Sequence, residues 1–206
     1  MRTRIKVCGI TRREDLHAVA AAGADAFGLV FYAPSARCLT LDQAQALRRA
    51  APAFLTSVAL FVNPARQQVE RVLEIVRPDM LQFHGEEAPE FCRGFDRPYI
   101  KACRVKPGVD LLEYWRRFPE ASAWLADAWV EEYGGAGTGF DWSLLPPQPE
   151  RPLVLSGGLA PENVAAAIRR LRPWAVDVSS GVESAKGIKD ASRIDAFVRE
   201  VRNADG

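Results

Sequence analysis

The chain has 206 residues, 48% hydrophobic and 26% charged, the mixture of a chain that builds its own core, which excludes long disorder. With 27 Lys and Arg against 26 Asp and Glu, its formal net charge is +1, so no global field steers it to nucleic acid or an anionic membrane. Four cysteines without a CxxC pair and only two histidines argue against a disulfide framework and a multi-His zinc site.

No run approaches the roughly 18 apolar residues of a spanning helix. The basic start is interrupted by Cys8-Gly9-Ile10-Thr11-Arg12-Arg13 before any secretory core. A reducing cytoplasm is the expected compartment.

Short apolar, β-branched runs alternate with helical stretches, the pattern of βα units around a parallel sheet. Strands are expected at 4–8, 26–30, 56–61, 80–83, 99–103, 123–127, 153–156 and 175–178. Their runs are continuously apolar, as when both sheet faces are covered. Between them, Thr40-Leu41-Asp42-Gln43 is a capping box. Asn63-Pro64 reads as an N-cap and first-turn proline, followed by a buried stripe of Val69, Val72, Leu73 and Val76. A short helix is expected over 111–118, and Pro161 is expected to open a helix through Arg170. Eight such strands suit a (β/α)8 barrel, although 206 residues is compact for a fold of roughly 250. An open doubly wound sheet is the competing architecture. No charge run or linker divides the chain, so 1–206 is expected to be one domain.

In such barrels, chemistry gathers where strands end. Strand one ends at Cys8, where a thiol serves as base or nucleophile if its pKa falls, or as a small core residue if it does not. Arg37 follows strand two; its planar fork suits a carboxylate or phosphate, and a solvated surface arginine is the plainer alternative. Gln82 and His84 alternate with apolar neighbours at strand four and are expected to face inward. Glu86 and Glu87 are expected to favour the next helix through its dipole. Asp127 ends strand six, where a carboxylate is costly unless paired or used. The glycine-rich stretch 133–142 is neither a Walker loop nor a dinucleotide fingerprint, and suits a lid. Strands seven and eight end in Ser156-Gly157-Gly158 and Asp177-Val178-Ser179-Ser180-Gly181. Paired glycine turns there present backbone amides to one anion, and a short extra helix adds its dipole. A phosphorylated small molecule is the expected ligand.

These residues, with Lys6-Val7-Cys8-Gly9-Ile10-Thr11, Leu81-Gln82-Phe83-His84-Gly85-Glu86-Glu87, Phe140-Asp141-Trp142, Leu155-Ser156-Gly157-Gly158-Leu159 and Val176-Asp177-Val178-Ser179-Ser180-Gly181-Val182-Glu183, resemble the phosphoribosylanthranilate isomerase family, in order and over essentially the whole chain. The resemblance implies a compact α/β (β/α)8 TIM barrel. It implies an Amadori rearrangement of N-(5-phosphoribosyl)anthranilate to 1-(2-carboxyphenylamino)-1-deoxyribulose 5-phosphate in tryptophan biosynthesis. It assigns Cys8 as general base, with a thiol made acidic, and Asp127 as general acid. Arg37 falls on the arginine that engages the anthranilate carboxylate. Gly157, Gly158, Ser179, Ser180 and Gly181 fall on the phosphate site, and His84 and Asp177 are further substrate-binding candidates. No cofactor or metal is implied, no nucleic acid or membrane partner, and either a monomer or a homodimer. Two places depart from the family pattern: Thr138-Gly139 in the glycine-rich loop, and Lys186-Gly187 where a proline-glycine is usual. A histidine-pathway ribotide isomerase on the same barrel would carry an aspartate where Cys8 stands. A non-catalytic phospholigand-binding barrel would need neither Cys8 nor Asp127.

Overall fold

The computed structural model describes residues 2–105, 108–128, 145 and 150–206. The glycine-rich stretch at 133–142, with its departure at Thr138-Gly139, and the proline-rich 146–149 lie outside the described residues.

Eight parallel strands close into a barrel in sequence order, each paired with its neighbours and β8 returning to β1. They are β1 (Arg4–Val7), β2 (Ala26–Val30), β3 (Thr56–Phe61), β4 (Met80–Phe83), β5 (Tyr99–Val105), β6 (Ala123–Ala128), β7 (Leu153–Ser156) and β8 (Ala175–Val178). This closure excludes the open doubly wound sheet. The helices between and after them are α1 (Arg13–Ala22), α2 (Leu41–Ala50), α3 (Arg66–Ile75), α4 (Pro89–Cys92), α5 (Leu111–Arg116), α6 (Val164–Leu171) and α7 (Ala191–Asp205).

Side-chain alternation sorts the strands into two environments. Ile5, Val7, Leu81, Phe83, Ala126 and Val176 face the helices in one continuous apolar layer. Ile100, Ala102, Ala123, Leu125, Val154 and Ala175 fill the barrel interior. The same parity turns Lys6, Gln82, Asp127 and Asp177 inward. Lys6 confirms this by donating from Nζ to Asp177 Oδ1 at 2.9 Å, in the register where Lys6 sits opposite Asp177.

Helix α2 starts as expected, with reciprocal bonds between Thr40 and Gln43. Two other starts differ. Asn63 has a positive φ of 47° and its Oδ1 accepts from Glu86 N, so it braces the loop after β4, while Ala65 precedes the helix. After β7, Pro161 stands in a turn rather than a helix. Asn163 holds that turn, donating to Gly158 O and accepting from Ala160 N, and α6 begins at Val164.

Beyond β8 the chain makes a 3₁₀ turn (Ser180–Val182) and then a small antiparallel hairpin, β9 (Glu183–Ala185) and β10 (Ile188–Lys189). Its two-residue turn is Lys186-Gly187, with φ 79° at Gly187. Glycine supplies that positive φ, and a proline at the preceding place would only pre-set the first turn residue. The departure at Lys186 is therefore compatible with the same turn.

Glu87 does not act as a surface charge at a helix end. Its carboxylate accepts from Lys101 Nζ at 2.7 Å and from the backbone amides of Asn63 and Gly85. Lys101 has a fully buried side chain, also donates to Gly85 O at 2.6 Å, and lies against the Phe118 ring. This ion pair pins the loop that follows His84. Breaking a buried pair strands the remaining charge. Lys101→Met is therefore expected to lower unfolding free energy by about 3–5 kcal/mol in urea titrations. A loss below about 1 kcal/mol would contradict this role for the pair.

Candidate active site

The site is built at the carboxyl end of the barrel from the residues that follow β1, β2, β4, β6, β7 and β8. Cys8 and Asp127 stand three strands apart around the ring, with β7 and β8 between them.

Cys8 follows β1, tied there by its own N–H to Val178 O at 2.8 Å. The residue is 6% exposed, yet its surroundings are polar: Lys6, Asp177 and Lys189 all act on the thiol. Space for the sulfur comes from Gly28, where a Cβ would lie 2.6 Å from Sγ. Burial is the largest influence and pushes the thiol above its ordinary range, against the pull of Lys6 and Lys189. This corrects the expected acidic thiol: desolvation outweighs the two ammonium groups. Burial also opposes the Lys6 charge, but Asp177 and Cys8 together outweigh it and hold the ammonium above its ordinary range.

A base with a raised pKa gains thiolate as pH rises, so kcat/KM should climb into the alkaline range. Lys6→Met removes the largest opposing charge and leaves Asp177 unpaired beside the sulfur, and both changes push the thiol further up. The alkaline rise in kcat/KM is expected to move to higher pH, costing about tenfold at neutral pH for each unit moved. An unmoved profile in a variant that keeps its circular dichroism would contradict this role for Lys6.

Asp127 ends an inward-facing row on β6 and is about a quarter exposed, with its Oδ2 3.0 Å from His84 Nε2. Behind it, Gln82 Nε2 lies 2.9 Å from His84 Nδ1. With the amide as donor, Nδ1 accepts and His84 Nε2 carries the proton toward Asp127. Gln82 and His84 thus orient Asp127, and His84 is joined to the acid candidate directly.

Arg37 is no solvated surface residue. Its stem crosses the turn at Gly9, where a Cβ would lie 2.3 Å from Arg37 Cδ. Its Nε and Nη2 donate to the two oxygens of Glu183, each at 2.6 Å. Asp177, 4% exposed, is held by Lys6 within the barrel.

The two glycine turns meet. Gly157 and Gly158 have φ of 86° and 64°, conformations glycine adopts without strain. Gly181 approaches so closely that a Cβ there would stand 1.9 Å from Leu159 O. Ser179 Oγ donates to Cys8 O at 3.0 Å, and Arg193 Nε donates to Gly181 O. The turns after β7 and β8 and the base candidate on β1 are therefore one bonded assembly. Lys6, Lys189, Glu183 and Gly28 were not singled out from the sequence. Lys6 carried a signal, standing two residues before Cys8 and so on the same strand face; Glu183 closes one of the motifs that carry the resemblance, and Lys189 carried none.

A closed parallel barrel with polar groups gathered at its strand ends defines a class, the (β/α)8-barrel proteins with a site at the carboxyl face. Within it, the chain belongs to the N-(5′-phosphoribosyl)anthranilate isomerase family, whose profile, described as N-(5′phosphoribosyl)anthranilate (PRA) isomerase, matches residues 5–200. The chain is 54% identical over 205 residues to the N-(5′-phosphoribosyl)anthranilate isomerase of Dechloromonas aromatica, covering 100% of this chain and 99% of that one. It is 55% identical over 204 residues to the enzyme of that name from Leptothrix cholodnii, covering 99% and 93%. The crystal structure of phosphoribosyl anthranilate isomerase from Thermotoga maritima superposes with a TM-score of 0.90 at 41% identity, covering 98% of this chain and 99% of that one. A phosphoribosyl anthranilate isomerase in complex with reduced 1-(o-carboxyphenylamino)-1-deoxyribulose 5-phosphate superposes with a TM-score of 0.87 at 39% identity, covering 98% and 99%.

Proposed function

We propose that this chain converts N-(5-phosphoribosyl)anthranilate to 1-(2-carboxyphenylamino)-1-deoxyribulose 5-phosphate, a step of tryptophan biosynthesis, in the cytoplasm, as a monomer or homodimer and without a cofactor. The observation that carries the reading is the placement of Cys8 and Asp127 at strand ends on either side of the two glycine turns, which follow the intervening strands β7 and β8.

The glycine turns and Ser179-Ser180 hold the phosphate through main-chain N–H groups, which keeps the labile sugar in register. Arg37 takes the anthranilate carboxylate. Asp127, as the carboxylic acid, gives its proton to the furanose ring oxygen while the anilino nitrogen lone pair forms C1′=N and the C1′–O bond breaks. Cys8 thiolate removes the C2′ proton, and those electrons form C1′=C2′ as the C=N electrons return to nitrogen. Tautomerisation of the enolamine moves a proton to C1′ and leaves the ketone at C2′. Asp177, held beside Cys8 by Lys6, lines the sugar side of this cavity.

The test is conversion of freshly generated N-(5-phosphoribosyl)anthranilate, followed chromatographically, beside the ribotide substrate of the histidine pathway. Turnover of the first and not the second supports the proposal. Turnover of only the second, or tight binding with no turnover, overturns it.

A further inference from the structure

Arg37 cannot attract a carboxylate by its charge alone, because Glu183 already grips it with two oxygens at 2.6 Å. A guanidinium and a carboxylate in that arrangement sum to zero charge. Lys189 changes the balance. Its ammonium has a fully buried side chain and donates to the same Glu183 carboxylate at 2.9 Å. It also donates to Ser179 O at 3.0 Å and lies 3.2 Å from Ser179 Oγ. The nearby Asp15, which accepts from Lys189 N, is itself paired with Arg12. With the lysine protonated, the three groups Arg37, Glu183 and Lys189 sum to one positive charge.

Lys189 reaches this place through the hairpin that follows β8. Thr11 Oγ1 donates to Gly187 O, fastening the hairpin tip to the loop after β1. The chain of contacts runs from Arg37 through Glu183 and Lys189 to Ser179, and from Ser179 Oγ to Cys8 O. One buried ammonium joins the arginine, the turn after β8 and the base candidate.

We propose that Lys189 is a positioning residue that touches no substrate: it supplies the surplus charge that lets the Arg37–Glu183 pair accept a substrate carboxylate, and it fixes that pair relative to the turn after β8. This rests on the assignment of Arg37 to the anthranilate carboxylate. Burial pushes the Lys189 ammonium below its ordinary range, opposed by the Glu183 carboxylate that it bonds; the same burial leaves the charge poorly screened.

The experiment is calorimetric binding of two probes, reduced 1-(o-carboxyphenylamino)-1-deoxyribulose 5-phosphate and its phenylamino counterpart without the carboxylate. Wild-type protein is expected to prefer the carboxylated probe. Lys189→Met is expected to reduce that preference by about tenfold. The double variant Glu183→Gln/Lys189→Met restores one net positive charge on Arg37 and is expected to return the preference to within about threefold of wild type. A purely structural role predicts the opposite, because the double variant loses more hydrogen bonds. An unchanged preference in Lys189→Met, or a double variant no better than the single, overturns the proposal. Should the single variant fail to fold, the double variant decides by the same threshold. A wild type without any preference overturns the assignment of Arg37 and the proposal with it.

Discussion

Replacing Cys8 with alanine is expected to lower kcat by about 10²–10⁴-fold, the contribution of a positioned base. The sulfur sits where Gly28 leaves room and Lys6 lies beside it, so the variant removes one atom from a preformed space. Stability should change modestly, because only the sulfur is lost and the void left is one atom in size. Probe binding should also survive, since the phosphate turns and Arg37 are held by other bonds. The loss therefore falls on kcat rather than KM in steady-state turnover. A Cys8→Ala variant within tenfold of wild type would contradict the assignment of the base.

Asp127→Asn should cost a similar factor, about 10²–10⁴-fold in kcat, for a different reason. Asparagine keeps the shape, and its amide oxygen can still accept from His84 Nε2, where Asp127 Oδ2 lies 3.0 Å away. What it lacks is a proton to give the ring oxygen. Circular dichroism and melting temperature should match wild type while turnover collapses. Substantial remaining turnover would point to another proton source, with His84 the nearest group to examine.

The barrel was legible because its strands are buried on both faces and so appear as continuous apolar runs between helix signals. Observed strands begin where the runs begin and end within one or two residues of them; β5 runs on to Val105 because Arg104 and Val105 remain paired with Asp127 and Ala128. The helix starts at Asn63 and Pro161 misled because each motif has two uses. Asn63 spends its side chain on the loop after β4, and the Pro161 turn is held by Asn163. The β9–β10 hairpin is two short strands around one glycine, too brief to show a period of two.

The site was legible as positions and not as partners. Cys8, Asp127 and the glycine turns lie at strand ends, which local sequence marks. Arg37 and Glu183 are 146 residues apart, and Lys6 and Asp177 are 171 apart. Such pairs exist only once β8 closes on β1. The raised thiol is equally a product of closure, since burial comes from elements distant in sequence.

The most direct test is a crystal structure of this protein with reduced 1-(o-carboxyphenylamino)-1-deoxyribulose 5-phosphate bound. The phosphate should rest on the amides of Gly157, Gly158, Ser180 and Gly181, with Cys8 Sγ against the C2′ carbon on one side of the sugar chain and Asp127 on the other. A phosphate seated away from these turns, or a ligand that leaves Cys8 Sγ and Asp127 on the same side of the sugar, would contradict the account.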